Sequence, residues 1–268
     1  MTLRSLLSVT AELPKLAVAV SGGVDSMTLA VALHRARPQD VTPFHAVSPA
    51  VPPRATRRVE RFAAREGWRL EVIDAGEFAD PRYRENPVNR CYFCKMNLYT
   101  AIAGETRGAV ILSGTNCDDL ADYRPGLAAA ERNHVRHPYV EAGLDKTAVR
   151  RLARHLDLSD LAELPAAPCL SSRVETGLAI EAGALAAIDV AEERLRLALS
   201  PSVVRCRLRR SAIEVELDAA TLRGLEATAR RNLAVEVAGL FAEAGIRRKV
   251  AFAPYRQGSA FLRGDGDG

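Results

Sequence analysis

LAVAVSGGVDSMTLAVAL, residues 16–33, places an apolar run, a break of Ser, Gly and Asp, and a second apolar run in direct succession. The first run is short, Ala- and Val-rich and free of charge, as a strand buried on both faces must be. The second continues through SMTLAVALHRA, residues 26–36, for several helical turns. A buried strand leading at once into a helix is half of a parallel β-α-β unit, because parallel neighbours need a crossover. The alternation continues outward to about residue 160, with strands expected at LAVAV (16–20), VTPFHAV (41–47), LEVID (70–74) and AVILSG (109–114). Between them TRRVERFAARE, residues 56–66, sets arginines on one side and Val, Phe and Ala on the other, the form of a sheet-covering helix. The expected fold class is therefore α/β, a parallel sheet with helices on both faces. Ligands in that class sit beyond the carboxyl ends of the strands, so the loops after LAVAV and AVILSG are where chemistry should lie.

Beyond LPAAPCLSSR, residues 164–173, the texture changes. A long Ala-, Leu- and Arg-rich helix, AGALAAIDVAEERLRLAL (182–199), precedes two short alternating strands, VVRCRLR (203–209) and AIEVEL (212–217). Two domains are expected: residues 1–170, α/β, and residues 171–268, a smaller α+β domain. No internal repeat is evident, and the Gly- and Asp-rich tail RGDGDG (263–268) reads as disordered.

The chain has 268 residues, 48% apolar and 26% charged, the balance of a globular protein with a real core. Its net charge of +4 is mild, and the arginines are spread among acidic residues. That suits a small anionic substrate and shows no nucleic-acid-sized footprint. Five cysteines, an odd number unevenly spaced, argue for a reducing compartment rather than a disulfide framework. The opening MTLRSLLSVTAELPKLAVAV imitates a secretory signal, but Glu12, Pro14 and Lys15 interrupt it, and no apolar run is long enough to cross a bilayer. A cytoplasmic protein without a membrane partner is expected.

Ser21, Gly22, Gly23, Val24, Asp25 and Ser26 fill the turn from the first strand into the first helix. Glycines let the backbone approach a phosphate, serines offer hydroxyls, and the first amides of a helix present a positive end to an anion. The run resembles the PP-loop of the ATP pyrophosphatase superfamily and lacks the Gly-Lys-Ser/Thr ending of a Walker loop. The resemblance implies a grip on the β and γ phosphates of ATP, attack of a carboxylate or amide oxygen on the α phosphate, release of pyrophosphate, and Mg²⁺ held with the help of Asp25.

NRCYFCK, residues 89–95, sets Cys91 and Cys94 two residues apart. The pair fits a zinc half-site, a redox pair, an iron–sulfur half-site or two buried small residues. Cys117, Cys169 and Cys206 each stand alone, which disfavours a closed zinc site. A thioredoxin-like pair would open a helix after a strand, whereas the preceding DPRYRENPVNR (80–90) reads as loop. Three thiolates with Cys169 as the third would hold a four-iron cluster and leave one iron open. Cys169 is flanked by Pro168 and by Ser171, Ser172 and Arg173, and Arg173 has the charge to lower its thiol's pKa or to hold a phosphate.

SGGVDS, NRCYFCK, GTNCDDLADYRPGLAAAE, VEAGLDKTAVRRLAR, PAAPCLSSR, AIDVAEERLR and YRQGS together resemble the LarE family, in its order and over nearly the whole chain. That family makes the thiocarboxylates of the nickel-pincer nucleotide. The resemblance implies that ATP adenylates a carboxylate of pyridinium-3,5-biscarboxylic acid mononucleotide and that a sulfur donor displaces AMP. In one branch the cysteine matching Cys169 is itself the donor and ends as dehydroalanine. In the other, three cysteines hold a [4Fe-4S] cluster whose fourth iron carries the transferred sulfide. Cys91 and Cys94 make this chain similar to the second branch, with Cys169 as third ligand and a sulfide donor as a further partner.

The resemblance also implies a proton-transfer role for Glu193, a grip on the substrate's phosphate by Arg205 and Arg256, a contact of Arg173 with the nucleotide, an adenosine pocket lined by Gly114 and Thr115, and metal assistance from Asp118. Family members assemble as oligomers, so a homo-oligomer is expected. The chain departs from the family after Arg173, where VETGLAIE (174–181) keeps Gly177 and Ile180 and loses a Pro- and Tyr-bearing stretch, and at Cys117, where a small residue is usual. A tRNA thiolation enzyme with a PP-loop and three cluster cysteines is the alternative, and a nucleotide-binding module without turnover is a third reading.

Overall fold

A computed structural model describes residues 2–106, 108–121, 125–166 and 168–261, so the tail expected to be disordered lies outside the described residues. The chain divides into two units, residues 1–80 with 91–167, and residues 81–90 with 168–268.

In the first unit four strands, β1 (Leu16–Ala19), β2 (Val41–Ala46), β3 (Glu71–Ile73) and β4 (Val110–Leu112), form one sheet in the order β3-β2-β1-β4. Every neighbouring pair is parallel, with Leu16 beside both Val41 and Val110. All four residues of β1 are buried, as its unbroken apolar run requires. Successive side chains of a strand point to opposite faces. Leu16 and Val18 accordingly join a core with the Val24–Ala36 helix, Val59, Phe62 and the Lys146–His155 helix, while Ala17 and Ala19 join Phe44, Tyr99, Ile102 and Ala130. Helices therefore cover both faces, and the α/β parallel sheet expected from the sequence is the one observed.

The Pro53–Glu66 helix shows how an Arg-rich segment still folds onto a sheet. Its buried residues Ala55, Val59 and Phe62 recur at helical spacing, and Gly67 ends it in the left-handed conformation, with its N–H on the Ala63 carbonyl. Because the chain runs from β1 out to β2 and β3 and then returns to β4 on the other side, the sheet has its switch point between β1 and β4. The carboxyl-end loops of those two strands, 20–23 and 113–116, are where such a sheet opens a crevice.

In the second unit β5 (Val204–Leu208) pairs antiparallel with β6 (Ala212–Leu217), and β6 pairs parallel with β7 (Lys249–Pro254). β7 adds a third strand to the two expected, and the Ala227–Glu243 helix makes the crossover to it. The Ala182–Leu199 helix lies where the sequence placed it, packed against β5. One reading is corrected in part. The stretch before Cys91, read as loop, contains a helical turn at Pro81–Arg84, and Cys91 and Cys94 open a helix, Arg90–Thr106. No strand leads directly into that helix, so the stated requirement for a thioredoxin-like pair is still unmet.

Candidate active site

Ser21 to Ser26 form a tight cup at the switch point of the sheet. Gly22 has φ +77°, and a Cβ there would lie 2.8 Å from the Ala55 carbonyl oxygen, so only glycine fits between the loop and the next helix. The Ser26 hydroxyl accepts the Ser21 N–H at 3.0 Å and lies 3.1 Å from the Ser21 hydroxyl, towards which the Gly23 N–H also points at 3.4 Å. Gly23 caps the Val24–Ala36 helix without a side-chain hydrogen bond. The Ser21 and Gly23 N–H groups and two hydroxyls thus gather at the start of that helix, the chemistry of an anion cradle.

Gly114, after β4, completes the wall. A Cβ at Gly114 would sit 2.7 Å from the Ser26 nitrogen and 2.9 Å from the Asp25 carbonyl carbon, so its glycine lets the two loops touch. Ser113 Oγ lies 3.0 Å from Thr115 Oγ1 and 2.8 Å from His137 Nδ1, which fixes the Thr115 hydroxyl. Asn116, buried, donates Nδ2–H to Asp25 Oδ1 at 3.2 Å. Burial pushes the Asp25 carboxyl above the usual range and the Asp119 charge adds to this, while Lys146 and the Asn116 amide oppose it. Asp118, expected to assist the metal, accepts the Lys146 N–H at Oδ2, 3.0 Å.

Cys91 and Cys94 stand one helical turn apart, which puts both thiols on one face, and both are half-buried. Lys95 lies 5.4 Å from the Tyr99 ring centre, and its ammonium is held above the usual lysine range by Tyr99 first and then by Cys94 and Cys91. None of the five cysteines is in a disulfide. In kind, two thiols on one helical turn fit half of an iron–sulfur ligand set. The third expected thiol, Cys169, belongs to the other unit, and among the described residues no group of three or more His, Cys, Asp or Glu is gathered for a metal.

Cys169 is exposed and precedes a tight turn, Leu170–Arg173. Its carbonyl accepts the Ser172 N–H at 3.1 Å, the Ser172 hydroxyl at 2.7 Å and Arg173 Nη1 at 3.1 Å. Ser171 is anchored from the 81–90 segment by the Tyr83 hydroxyl at 2.6 Å. Arg173 is wholly buried, with Nη1 also on the Pro168 carbonyl and the other nitrogens on Glu192. Arg173, expected to contact the nucleotide, here places its donors on the Cys169 turn and on Glu192.

Glu193, expected to transfer protons, is exposed and paired with Arg196. Its neighbour Glu192, which the sequence reading missed, is the buried one. Burial works against its charge, but Arg173, Arg205 and the Cys206 N–H outweigh that and hold its carboxyl below the usual range. The signal was present in the helix periodicity: Leu185, Ile188 and Leu195 are buried, and position 192 falls on their stripe.

Arg205 stacks 5.9 Å above the Tyr255 ring, and Arg256 is exposed. A third arginine, missed in the sequence, links the segments around them. Arg207, buried and paired with Glu216, donates to the Ser172 carbonyl at 3.2 Å and to the Arg256 carbonyl at 3.1 Å. Cys206 is wholly buried and its thiol is pushed well up by burial, the state of a core residue, while Cys117 is half-buried with its N–H on the Leu144 carbonyl.

No protein-family model matches the chain. A protein of Synechocystis sp. with no assigned function is 35% identical over 209 residues, covering 77% of each chain. The pyridinium-3,5-bisthiocarboxylic acid mononucleotide synthase of Lactiplantibacillus plantarum is 29% identical over 222 residues, 81% of this chain and 80% of that one. A Methanocaldococcus jannaschii protein, also without an assigned function, is 27% identical over 211 residues, 76% of this chain and 79% of that one.

Proposed function

The chain belongs to the LarE family, and on that premise we propose that it is an ATP-dependent sulfurtransferase of nickel-pincer cofactor biosynthesis. The synthase of Lactiplantibacillus plantarum is named for a bisthiocarboxylic acid mononucleotide, and the reaction proposed here makes the same kind of product. The observation that carries the ATP step is the cup at Ser21–Ser26, whose hydroxyls and amides converge with glycine walls on two sides.

In this reading the cup holds the β and γ phosphates of ATP. A carboxylate oxygen of pyridinium-3,5-biscarboxylic acid mononucleotide attacks the α phosphate, the bond to the β-phosphate oxygen breaks, and pyrophosphate leaves. Asp25 is the residue that would hold Mg²⁺, which when bound would neutralise charge on the phosphates. Arg205 and Arg256 hold the substrate's own phosphate, a task suited to planar two-pronged donors.

Where Cys169 is itself the donor, its thiolate attacks the acyl carbon of the adenylate, an S–C bond forms, and AMP departs with the C–O electron pair. Loss of the Cys169 α-proton to Glu193 and cleavage of its Cβ–S bond leaves the sulfur on the substrate as thiocarboxylate. Cys91, Cys94 and Cys169 would instead hold a [4Fe-4S] cluster, which when bound supplies a sulfide at the iron without a protein ligand. A homo-oligomer is part of the same reading.

The test is to incubate the protein with ATP, Mg²⁺ and the biscarboxylic mononucleotide, following pyrophosphate, AMP and the mass of the nucleotide product. Stoichiometric pyrophosphate with a thiocarboxylate product is expected. Release of no pyrophosphate, or salt-sensitive binding of tRNA with thiolation of RNA instead, would overturn it.

A further inference from the structure

Arg58 lies on the Pro53–Glu66 helix, behind the phosphate cup, and its Nη1 donates to the Gly22 carbonyl at 2.8 Å. Nothing in the chain's motifs pointed to it, because it sits within an amphipathic run of five arginines, Arg54, Arg57, Arg58, Arg61 and Arg65, which reads as a solvated helix face. The structure separates them. Arg61 pairs with Asp160 in solvent and Arg65 stacks 4.0 Å over the Phe62 ring, while Arg58 turns inward and is half-buried.

A trans peptide is planar, so its C=O and N–H point in opposite directions. A guanidinium that holds the Gly22 carbonyl outward therefore turns the Gly23 N–H inward. The Gly23 N–H does face the Ser21 hydroxyl, on the side where the Ser21 and Ser26 hydroxyls meet. Gly22 can take this orientation because of its positive φ, and the Ala55 carbonyl closes the space behind it. Burial also lowers the Arg58 pKa, and the Arg61 charge adds to this.

We propose that Arg58 is a positioning residue for the phosphate cup: by holding the Gly22 carbonyl it fixes the Gly22–Gly23 peptide with its N–H aimed at the β and γ phosphates of the bound nucleotide. The proposal rests on the ATP reading above, and it assigns the residue to the pyrophosphate half of the ligand rather than to the nucleoside.

The experiment measures binding of ATP, inorganic pyrophosphate and AMP to the full chain and to Arg58→Ala and Arg58→Lys, with the thermal midpoint of each protein without ligand. Arg58→Ala is expected to weaken ATP and pyrophosphate about tenfold, the loss of one hydrogen bond from a charged donor, and to leave AMP unchanged. The loss persists in high salt, because peptide orientation is not screened, and Arg58→Lys recovers part of it. Equal losses for all three ligands, a loss that disappears in high salt, or unchanged pyrophosphate affinity would each overturn the proposal. A wild-type protein that binds neither ATP nor pyrophosphate would overturn the nucleotide reading, and this inference with it.

Discussion

Glu192 receives Arg173 in a two-pronged ion pair, Nε on Oε1 at 2.9 Å and Nη2 on Oε2 at 3.1 Å, with both side chains wholly buried. The same guanidinium reaches the Cys169 carbonyl, so the Ala182–Leu199 helix carries the Cys169 turn on a charged strut. Such a pair gives little net stability over an apolar one, but losing one partner strands a buried charge.

Glu192→Ala should therefore cost about 3–5 kcal/mol in urea unfolding, because Arg173 is left uncompensated. Glu192→Gln should cost less, since it keeps the shape and one acceptor. The pH dependence follows from the depressed carboxyl. A carboxyl with its pKa lowered in the folded state contributes stability above its unfolded value, and that share fades as pH falls through the folded value. Wild type should lose this share from about pH 4 downward, and Glu192→Gln should lack it at every pH. Parallel acid titrations of the two proteins would disprove the assignment.

The wall glycine Gly114 makes a second prediction. Gly114→Ala pushes a methyl against the Ser26 nitrogen, and backbone cannot move as a side-chain tip does. About 1–3 kcal/mol of stability should be lost, the cost of overpacking, together with most ATP affinity. Gly143→Ala is the control, since its φ is +67° but no atom lies within 4 Å of the added Cβ. It should show backbone strain and keep its ATP affinity. Equal affinity in the two variants, read by calorimetry, would count against the close approach of the two loops.

Much of this was legible in the residues. The strand, loop and helix of 16–36 were readable because a charge-free strand, a Gly-Ser break and a helical run meet without an intervening segment. β7 was not read, although Val250 and Phe252 alternate with Lys249 and Ala251, because the run is short and Ala-diluted. The assignment of 81–90 to the second unit has no compositional cue at all. It depends on tertiary hydrogen bonds, Tyr83 to Ser171 and Asn86 to the Glu175 carbonyl, between residues about ninety apart. Adjacent carboxylates at 192 and 193 look alike as letters, and only helical phase assigns one to the core and the other to solvent.

That phase difference separates structure from chemistry. Glu193 is exposed, so Glu193→Gln should leave the thermal midpoint unchanged. If Glu193 takes the Cys169 α-proton, the variant should still release pyrophosphate and AMP while thiocarboxylate formation slows by about a hundredfold, the usual weight of a positioned base. Trapped thioester, seen as added mass on the protein, marks the stalled step. Unchanged thiocarboxylate yield would remove Glu193 from the mechanism.

On the cluster reading, Cys91 and Cys94 let each chain act more than once. Their half-buried thiols on one helical turn are suited to bind iron, and the proposed cluster takes Cys169 as its third ligand. Protein purified without oxygen should contain about four irons and four sulfides per chain, and Cys91→Ala should lose them. Cys206→Ala should keep them, because that thiol is wholly buried on β5. Iron-free wild type that also resists reconstitution would leave Cys169 as a single-use donor. Its signature would be a protein lighter by the mass of H₂S after one turnover, with Cys91→Ala as active in that turnover as the wild type.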